Sequence, residues 1–224
     1  MAARRTYGDR CGVARALDVV GERWALLVVR ELLLGPKRFT DLRDGLPGLS
    51  ADVLSQRLRG LEAAAVVRRR TLPPPAGSTV YELTPWGRDL EPVVLELGRW
   101  GSRAAFPSGR PRLGADATAI ALKTLFDAGR ARGLDASVEL RLGAHDVFRA
   151  AVAGGALELV RGTADHPDAV VEAGPSVLAA VLWHARPLAD ALRAGDVRIE
   201  GSRRVARRFL RLFPAPEPAA AAGG

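Results

Sequence analysis

Between Ser50 and Leu83 the hydrophobic period changes within one unbroken stretch, and this change constrains the fold more than any other feature. In "SADVLSQRLRGLEAAAVV" the residues Val53, Leu54, Leu58 and Leu61 recur at spacings of three and four, which predicts a helix with one buried face. Ser50 stands where an N-cap belongs, because its hydroxyl can accept a hydrogen bond from a free amide of the first turn. Immediately afterwards "VVRRRTL" and "TVYEL" read as strands joined by "PPPAGS", a hairpin with a Pro- and Gly-bearing tip.

Upstream, Val13, Leu17 and Val20 predict one helix, and after Gly21 the residues Leu26, Leu27, Val29 and Leu33 predict a second. A short helix follows in "RFTDLRDGL", where Phe39 and Leu42 lie three apart and Gly45 marks the end. Beyond the hairpin, Thr84 caps "PWGRDLEPVVLELGRWGSR", whose Leu90, Val93, Val94, Leu97 and Trp100 form another apolar stripe. A short helix, a turn, a longer helix and then a hairpin make a winged helix-turn-helix, whose second helix fits a major groove about 12 Å wide.

The outward side of that helix carries Asp52, Ser55, Gln56 and Arg59 behind the cap Ser50. Gln pairs with adenine and Arg with guanine through two hydrogen bonds, each worth about 1–3 kcal/mol of base discrimination. Arg68, Arg69 and Arg70 alternate faces in a strand, so at most two of them share one side. These three are assigned to the DNA phosphates, which position a protein without reading sequence, and Lys37 and Arg38 ahead of the short helix are further DNA-binding candidates.

Charge distribution supports an acidic partner. The chain carries a net +8; residues 1–112 hold 19 Lys and Arg against 12 Asp and Glu, whereas residues 113–224 hold 14 against 13. The excess therefore lies almost wholly in the first half. Arg30 and Glu31 interrupt the one strongly apolar run, so no membrane span is expected, and "MAARRTYGDR" lacks the apolar segment of a secretory signal. Cytoplasmic location is the expectation, and the single cysteine, Cys11, fits a reducing compartment.

No enzyme, metal site or cofactor is expected. His145, His166 and His184 lack the short spacing of a helical metal pair, and the chain has no nucleophile elbow, phosphate loop or dinucleotide fingerprint.

The segment 103–118 gathers Pro107, Gly109, Pro111 and Gly114 and reads as a linker, with a boundary near 113; "PAPEPAAAAGG" (214–224) reads as a disordered tail. Between them an α+β domain is expected. A helix is predicted over 116–132 with Leu122, Leu125 and Phe126 on one side. "SVELRLG" predicts a strand with one buried face through Val138, Leu140 and Leu142. "ALELVRG", "AVVEAG" and "DVRIEG" predict further strands, "SVLAAVLWHARPLADALRAG" a helical stretch broken at Pro187, and Val205, Phe209 and Leu212 a final helix.

The run from "CGVARALDVVGERW" through "VRELLLGPKRF", "LSQRLRGLE" and "YELTPWG", approximately residues 11–103, resembles the HxlR-type branch of MarR-like transcription regulators. The resemblance implies a winged-helix homodimer on operator DNA, with Ser50 to Arg59 on the reading helix and Arg68 to Thr79 in the wing. Two positions depart from the family pattern. Ala65 replaces the Gly that ends the reading helix, where a positive φ would cost an alanine about 1 kcal/mol, and Gly12 replaces a Pro after the cysteine. Two half-sites about 34–36 Å apart require two reading helices held by symmetry, and the helix over 85–103 and the first helix are the candidate interface. For Cys11, next to Arg10 and Arg15, two readings stand: a thiol that senses oxidants or electrophiles, or a small residue packed at the dimer seam.

Residues 116–213 resemble the sterol-carrier-protein type of domain through "HPDA" (166–169) and the closing Gly195, Val197, Ile199 and Gly201. That resemblance implies an apolar cavity lined by Phe126, Phe148, Leu182 and Trp183 for a small apolar effector, while ordinary core packing accounts for the same residues. The alternative function is a small hydrophobic-molecule carrier with a basic interaction domain, which would bind DNA weakly and without sequence preference.

Overall fold

The computed structural model describes residues 6–74, 77–104 and 113–219. Backbone contacts divide the chain into two compact units, Met1–Val94 and Leu95–Gly224.

The first unit holds α1 (Gly12–Val20), α2 (Ala25–Leu32), α3 (Phe39–Gly45), α4 (Ala51–Ala63), the antiparallel pair β1 (Val67–Thr71) and β2 (Thr79–Leu83), and the short α5 (Pro85–Arg88). The expected order is present, with two caps in place: Ser50 Oγ accepts from Val53 N at 3.3 Å and Thr84 Oγ1 from Gly87 N at 3.0 Å. Leu54, Leu58 and Leu61 of α4 are buried and α4 packs on α1, α2 and β1. Burying each such leucine contributes about 1.5–3 kcal/mol. Val53, read as a fourth member of that face, is only half-buried.

Two local geometries fix α4. Gly48, at φ 89° in the turn between α3 and α4, supplies a backbone conformation that side chains resist. At the other end Ala65 adopts φ 55° while its amide donates to Glu62 O at 2.9 Å and Val66 N donates to Leu61 O at 2.9 Å. Ala65 thus takes the left-handed conformation itself, at the position where the resembled pattern carries a glycine.

The segment read as one helix over 85–103 is two, α5 and α6 (Glu91–Gly101). The division between units falls within α6. Past it, Arg99 Nη2 donates to Thr124 O at 3.0 Å, so contacts group the C-terminal half of α6 with the second unit, upstream of the boundary expected near 113.

The second unit continues with α7 (Ala115–Leu125), β3 (Ala136–Arg141), β4 (Val147–Ala153), β5 (Ala156–Arg161), β6 (Ala169–Ala173), α8 (Pro175–Trp183), α9 (Leu188–Arg193), β7 (Val197–Gly201) and α10 (Arg203–Leu210). The sheet order is β5-β4-β3-β6-β7, antiparallel except for the parallel pair β3 and β6. This is an α+β architecture. Its core centres on Leu140, Phe148, Phe209 and Phe213.

Three expectations change here. The helix predicted over 116–132 ends at Leu125, because Phe126 turns to extended backbone, its ring 6.2 Å from that of Phe213, while Asp127 N donates to Leu212 O at 2.8 Å. Strand β3 is buried on both faces. Glu139 lies inside because it accepts from Arg141 Nε at 2.8 Å and from Ala164 N at 3.0 Å. Strand β4 was not separated by the periodicity at all; its alanines blur the alternation. Of the tail read over 214–224, residues 214–219 hold no helix or strand, Ala219 N donates to Arg103 O at 2.9 Å, and 220–224 lie outside the described residues, as do 105–112 of the linker.

Among the described residues no helix is long and apolar enough to cross a membrane.

Candidate nucleic-acid interface

The α4 side opposite its leucines is open. Asp52, Gln56 and Arg59 are exposed and Ser55 half-exposed, and at about 100° per residue these four fall within roughly 100° of arc. Polar groups able to read base edges thus share one side, held rigid by the leucines behind them. Gln56 sits at the edge nearest α1, where it lines an open cleft of about 1120 Å³ with Tyr7, Leu17, Glu22 and Arg57. Arg57 Nη1 meets Glu22 Oε2 at 3.2 Å and ties α4 to the turn before α2.

Lys37 and Arg38 separate. Arg38 is exposed at the start of α3, where its amide donates to Asp41 Oδ2 at 3.0 Å. Lys37, expected above among the DNA-binding residues, instead turns inward. Its Nζ lies 2.5 Å from Glu31 Oε2, its side chain is only 11% exposed, and Arg30 Nη2 meets the other carboxylate oxygen at 2.7 Å. Glu31 is buried, so it needs these cations. Gly45 is part of the same arrangement, since a Cβ there would lie 2.4 Å from Glu31 Oε2. The backbone of Lys37 also bridges to Tyr81 of β2, giving the hairpin a third partner.

The wing carries all three arginines, and they alternate as the pleat requires. Arg68 stands opposite Glu82 and Arg70 opposite Val80, while Arg69 stands opposite Tyr81. On one face Glu82 accepts from Arg68 Nε at 2.8 Å and Arg70 Nε at 3.0 Å. On the other, Arg69 Nε donates to Glu62 of α4 at 2.8 Å and its guanidinium lies 5.8 Å from the centre of the Tyr81 ring. Burial pushes the Glu82 carboxyl up, but the hydrogen bonds and charges of Arg70 and Arg68 outweigh it and hold the group below the ordinary carboxylate range. Hydrogen bonding and attraction from Glu62 raise Arg69.

The carboxylates of Glu62 and Glu82 escaped the motif reading. A usable signal was there, because a hairpin that opposes Thr71 and Thr79 necessarily opposes Arg68 and Glu82. Pro75 and Ala76 of the wing tip lie outside the described residues.

Cys11 is exposed at the N-cap of α1. Hydrogen bonding from the backbone amides of Val13 and Ala14 lowers its thiol below the ordinary value, the effect expected at a helix N-terminus.

In the second unit the residues named for a cavity scatter. Leu182 lines an open cleft of about 640 Å³ with Leu188, Leu210, Phe213, Arg207 and Arg211. Phe148 is instead fully buried in the core beneath the Arg161 guanidinium, Phe126 lies tilted against Phe213, and Trp183 is half-buried with its indole nitrogen enclosed. None of these three lines the cleft. Among the described residues no three His, Cys, Asp or Glu side chains gather to hold a metal.

Comparison with known proteins places this geometry in a family. The profile of the HxlR-like helix-turn-helix matches residues 19–108. The HTH-type transcriptional regulator YvaP of Bacillus subtilis is 38% identical over 94 residues, which are 42% of this chain and 87% of YvaP. From the same organism, YybR is 36% identical over 93 residues (42% of this chain, 74% of YybR), and YodB is 34% identical over 92 residues (41% of this chain, 82% of YodB). With the helix, turn, helix and wing all present and a relative matched along most of its length, the chain belongs to the HxlR-like helix-turn-helix family.

Proposed function

We propose that this protein is a transcription regulator that binds operator DNA as a homodimer, each protomer laying α4 in a major groove. The observation that carries the reading is the open side of α4, with Asp52, Ser55, Gln56 and Arg59 together, directly followed by an arginine-bearing hairpin. Gln56 and Arg59 read bases; Arg38, Arg68, Arg69 and Arg70 meet phosphates. The relatives are HTH-type transcriptional regulators by name, which supports the same role.

Dimerisation is supported by apolar side chains left in solvent. On α1, Val13 is 68% exposed and Leu17 is exposed; on α6, Val93, Leu97 and Trp100 follow at spacings of four and three, with Trp100 74% exposed. A stripe of this kind is the seam of a helix pair. In functional terms residues 1–112 make the DNA-binding and dimerising part and 113–213 a sterol-carrier-protein-like part, whose mixed sheet flanked by helices fits that likeness and the small apolar effector it implies. An effector shifts DNA affinity only by binding one arrangement of the protein better than another. The exposed Cys11 thiol supports a redox input as well, and a Cys11→Ser variant whose DNA binding responds to peroxide like the parent would end that idea.

The test is a salt-dependent gel shift on fragments selected from the source genome. Sequence-selective binding that Gln56→Ala relaxes at one base pair is the expected result; weak, uniform binding to every fragment would favour the carrier alternative.

A further inference from the structure

We propose that α10 and the turn bonded to it form a second phosphate-binding surface, outside the winged helix, that holds the DNA backbone without reading sequence. The proposal rests on the reading of the chain as a DNA-binding regulator.

Residues 201–216 contain five arginines, Arg203, Arg204, Arg207, Arg208 and Arg211, and no Asp or Glu. The near-neutral charge of the second half hides this local run. Arg203, Arg204, Arg207 and Arg211 are exposed, and among the described residues none of them has a carboxylate partner. Arg208 Nη2 donates to Arg132 O at 2.7 Å and Arg130 Nη1 to Arg211 O at 3.3 Å, which fixes the 127–132 turn beside the helix and adds the exposed Arg132. The one acid there, Asp127, is taken by Arg130 at 3.2 Å.

This arrangement works against the helix that bears it. Arg203 and Arg204 occupy the first turn, where the helix dipole disfavours cations and where α10 has no acidic residue. Arg203 with Arg207, and Arg204 with Arg208, are like charges four residues apart, which repel. Local choices that oppose the local structure mark a surface completed by something else, here a polyanion.

Two observations favour nucleic acid over a lipid surface. The apolar side of α10, with Ala206, Phe209 and Leu210, is buried against β3, β6 and β7, which leaves only the half-buried Val205 to offer to acyl chains. Arg203, Arg207 and Arg211 step along the helix at about 6 Å intervals, a row that suits a continuous phosphate backbone better than separate headgroups. The wing differs, because each of its arginines already holds a carboxylate. Cations without such partners release the most counterions on meeting DNA.

The experiment titrates the full chain and its R203Q/R204Q/R207Q/R211Q variant with a mixed-sequence duplex of about 40 base pairs across a salt series, read by fluorescence anisotropy. The variant should bind at least about tenfold more weakly at low salt, with the slope of log K against log salt shallower by about three to four units. The matching four-lysine variant should keep the slope. If the four-site variant melts early, Arg203→Gln and Arg207→Gln replace it, each expected to remove about 0.9 of a unit. An unchanged slope overturns the proposal, as does an unchanged slope accompanied by arginine-dependent binding of the protein to phosphatidylglycerol vesicles, which would assign the surface to lipid. Failure of the parent protein to bind any duplex at low salt would overturn the regulator reading too, an outcome distinct from an unchanged slope.

Discussion

Glu82 and Arg68 face each other across the β1–β2 ladder, and the carboxylate accepts from the guanidinium Nε at 2.8 Å while also holding Arg70. One negative charge therefore serves two arginines. The wing face keeps a net positive charge, but a smaller one than its sequence suggests, and the side chains are fixed in direction before any DNA arrives. Replacing Glu82 with Gln should raise affinity for all duplexes at low salt and steepen the salt dependence by up to about one unit, whereas Arg68→Ala should weaken binding uniformly and flatten it by about one unit. Anisotropy titrations over a salt series check both. Loss of affinity in Glu82→Gln would mean that the carboxylate serves DNA binding chiefly by orienting the arginines.

The same carboxylate gives the wing a pH dependence. Its folded pKa lies below the unfolded value, about 4.3, so its stabilising contribution is complete above that value and is lost as pH falls through the folded pKa. The melting temperature of the parent should exceed that of Glu82→Gln near neutrality, and the gap should close on the acid side of about pH 4. A gap that stays constant down to pH 3 would show that the difference is not electrostatic.

Ala65 holds a conformation that suits glycine, with φ 55° just after the end of α4. Ala65→Gly should relieve up to about 1 kcal/mol of strain, partly offset by the greater freedom glycine gives the unfolded chain. Chemical denaturation should show a net gain of about a few tenths of a kcal/mol with DNA affinity unchanged. A destabilised glycine variant would show that the αL residue is not strained.

Leu97 and Trp100 test the proposed homodimer. Both are exposed on α6, so removing them should leave each protomer folded while weakening self-association. A Leu97→Ser/Trp100→Ser variant should shift toward the monomer in sedimentation and lose operator affinity by at least about tenfold, because two half-sites would no longer be engaged together. Dimers of unaltered strength would move the interface elsewhere, with α1 next to be examined through Val13 and Leu17.

Arg161 links α7 to the sheet by pairing with Asp116, which is buried, and with Asp146. Burial works against the charged guanidinium, but hydrogen bonding and attraction from the two carboxylates prevail and raise its pKa. Asp116→Ala should therefore destabilise the second unit by about 1–3 kcal/mol in urea unfolding, since Arg161 loses its most enclosed partner. A neutral effect would mean that Asp146 alone suffices.

What the sequence determined by itself was local. Spacings of three and four located α1 to α4, Ser50 and Thr84 announced their helices, and a period of two flanking a Pro- and Gly-bearing tip marked the hairpin, because each signal depends on residues within one or two turns of the chain. What only the tertiary structure decided was partnership. Lys37 lies on Glu31 rather than outside, Glu82 and Glu62 claim the wing arginines, Glu139 is buried by a loop 25 residues away, and Phe126 ends α7 early to reach Phe213. A charge in a sequence has a sign but no address, and its effect depends on distance and burial, which are set when remote segments pack.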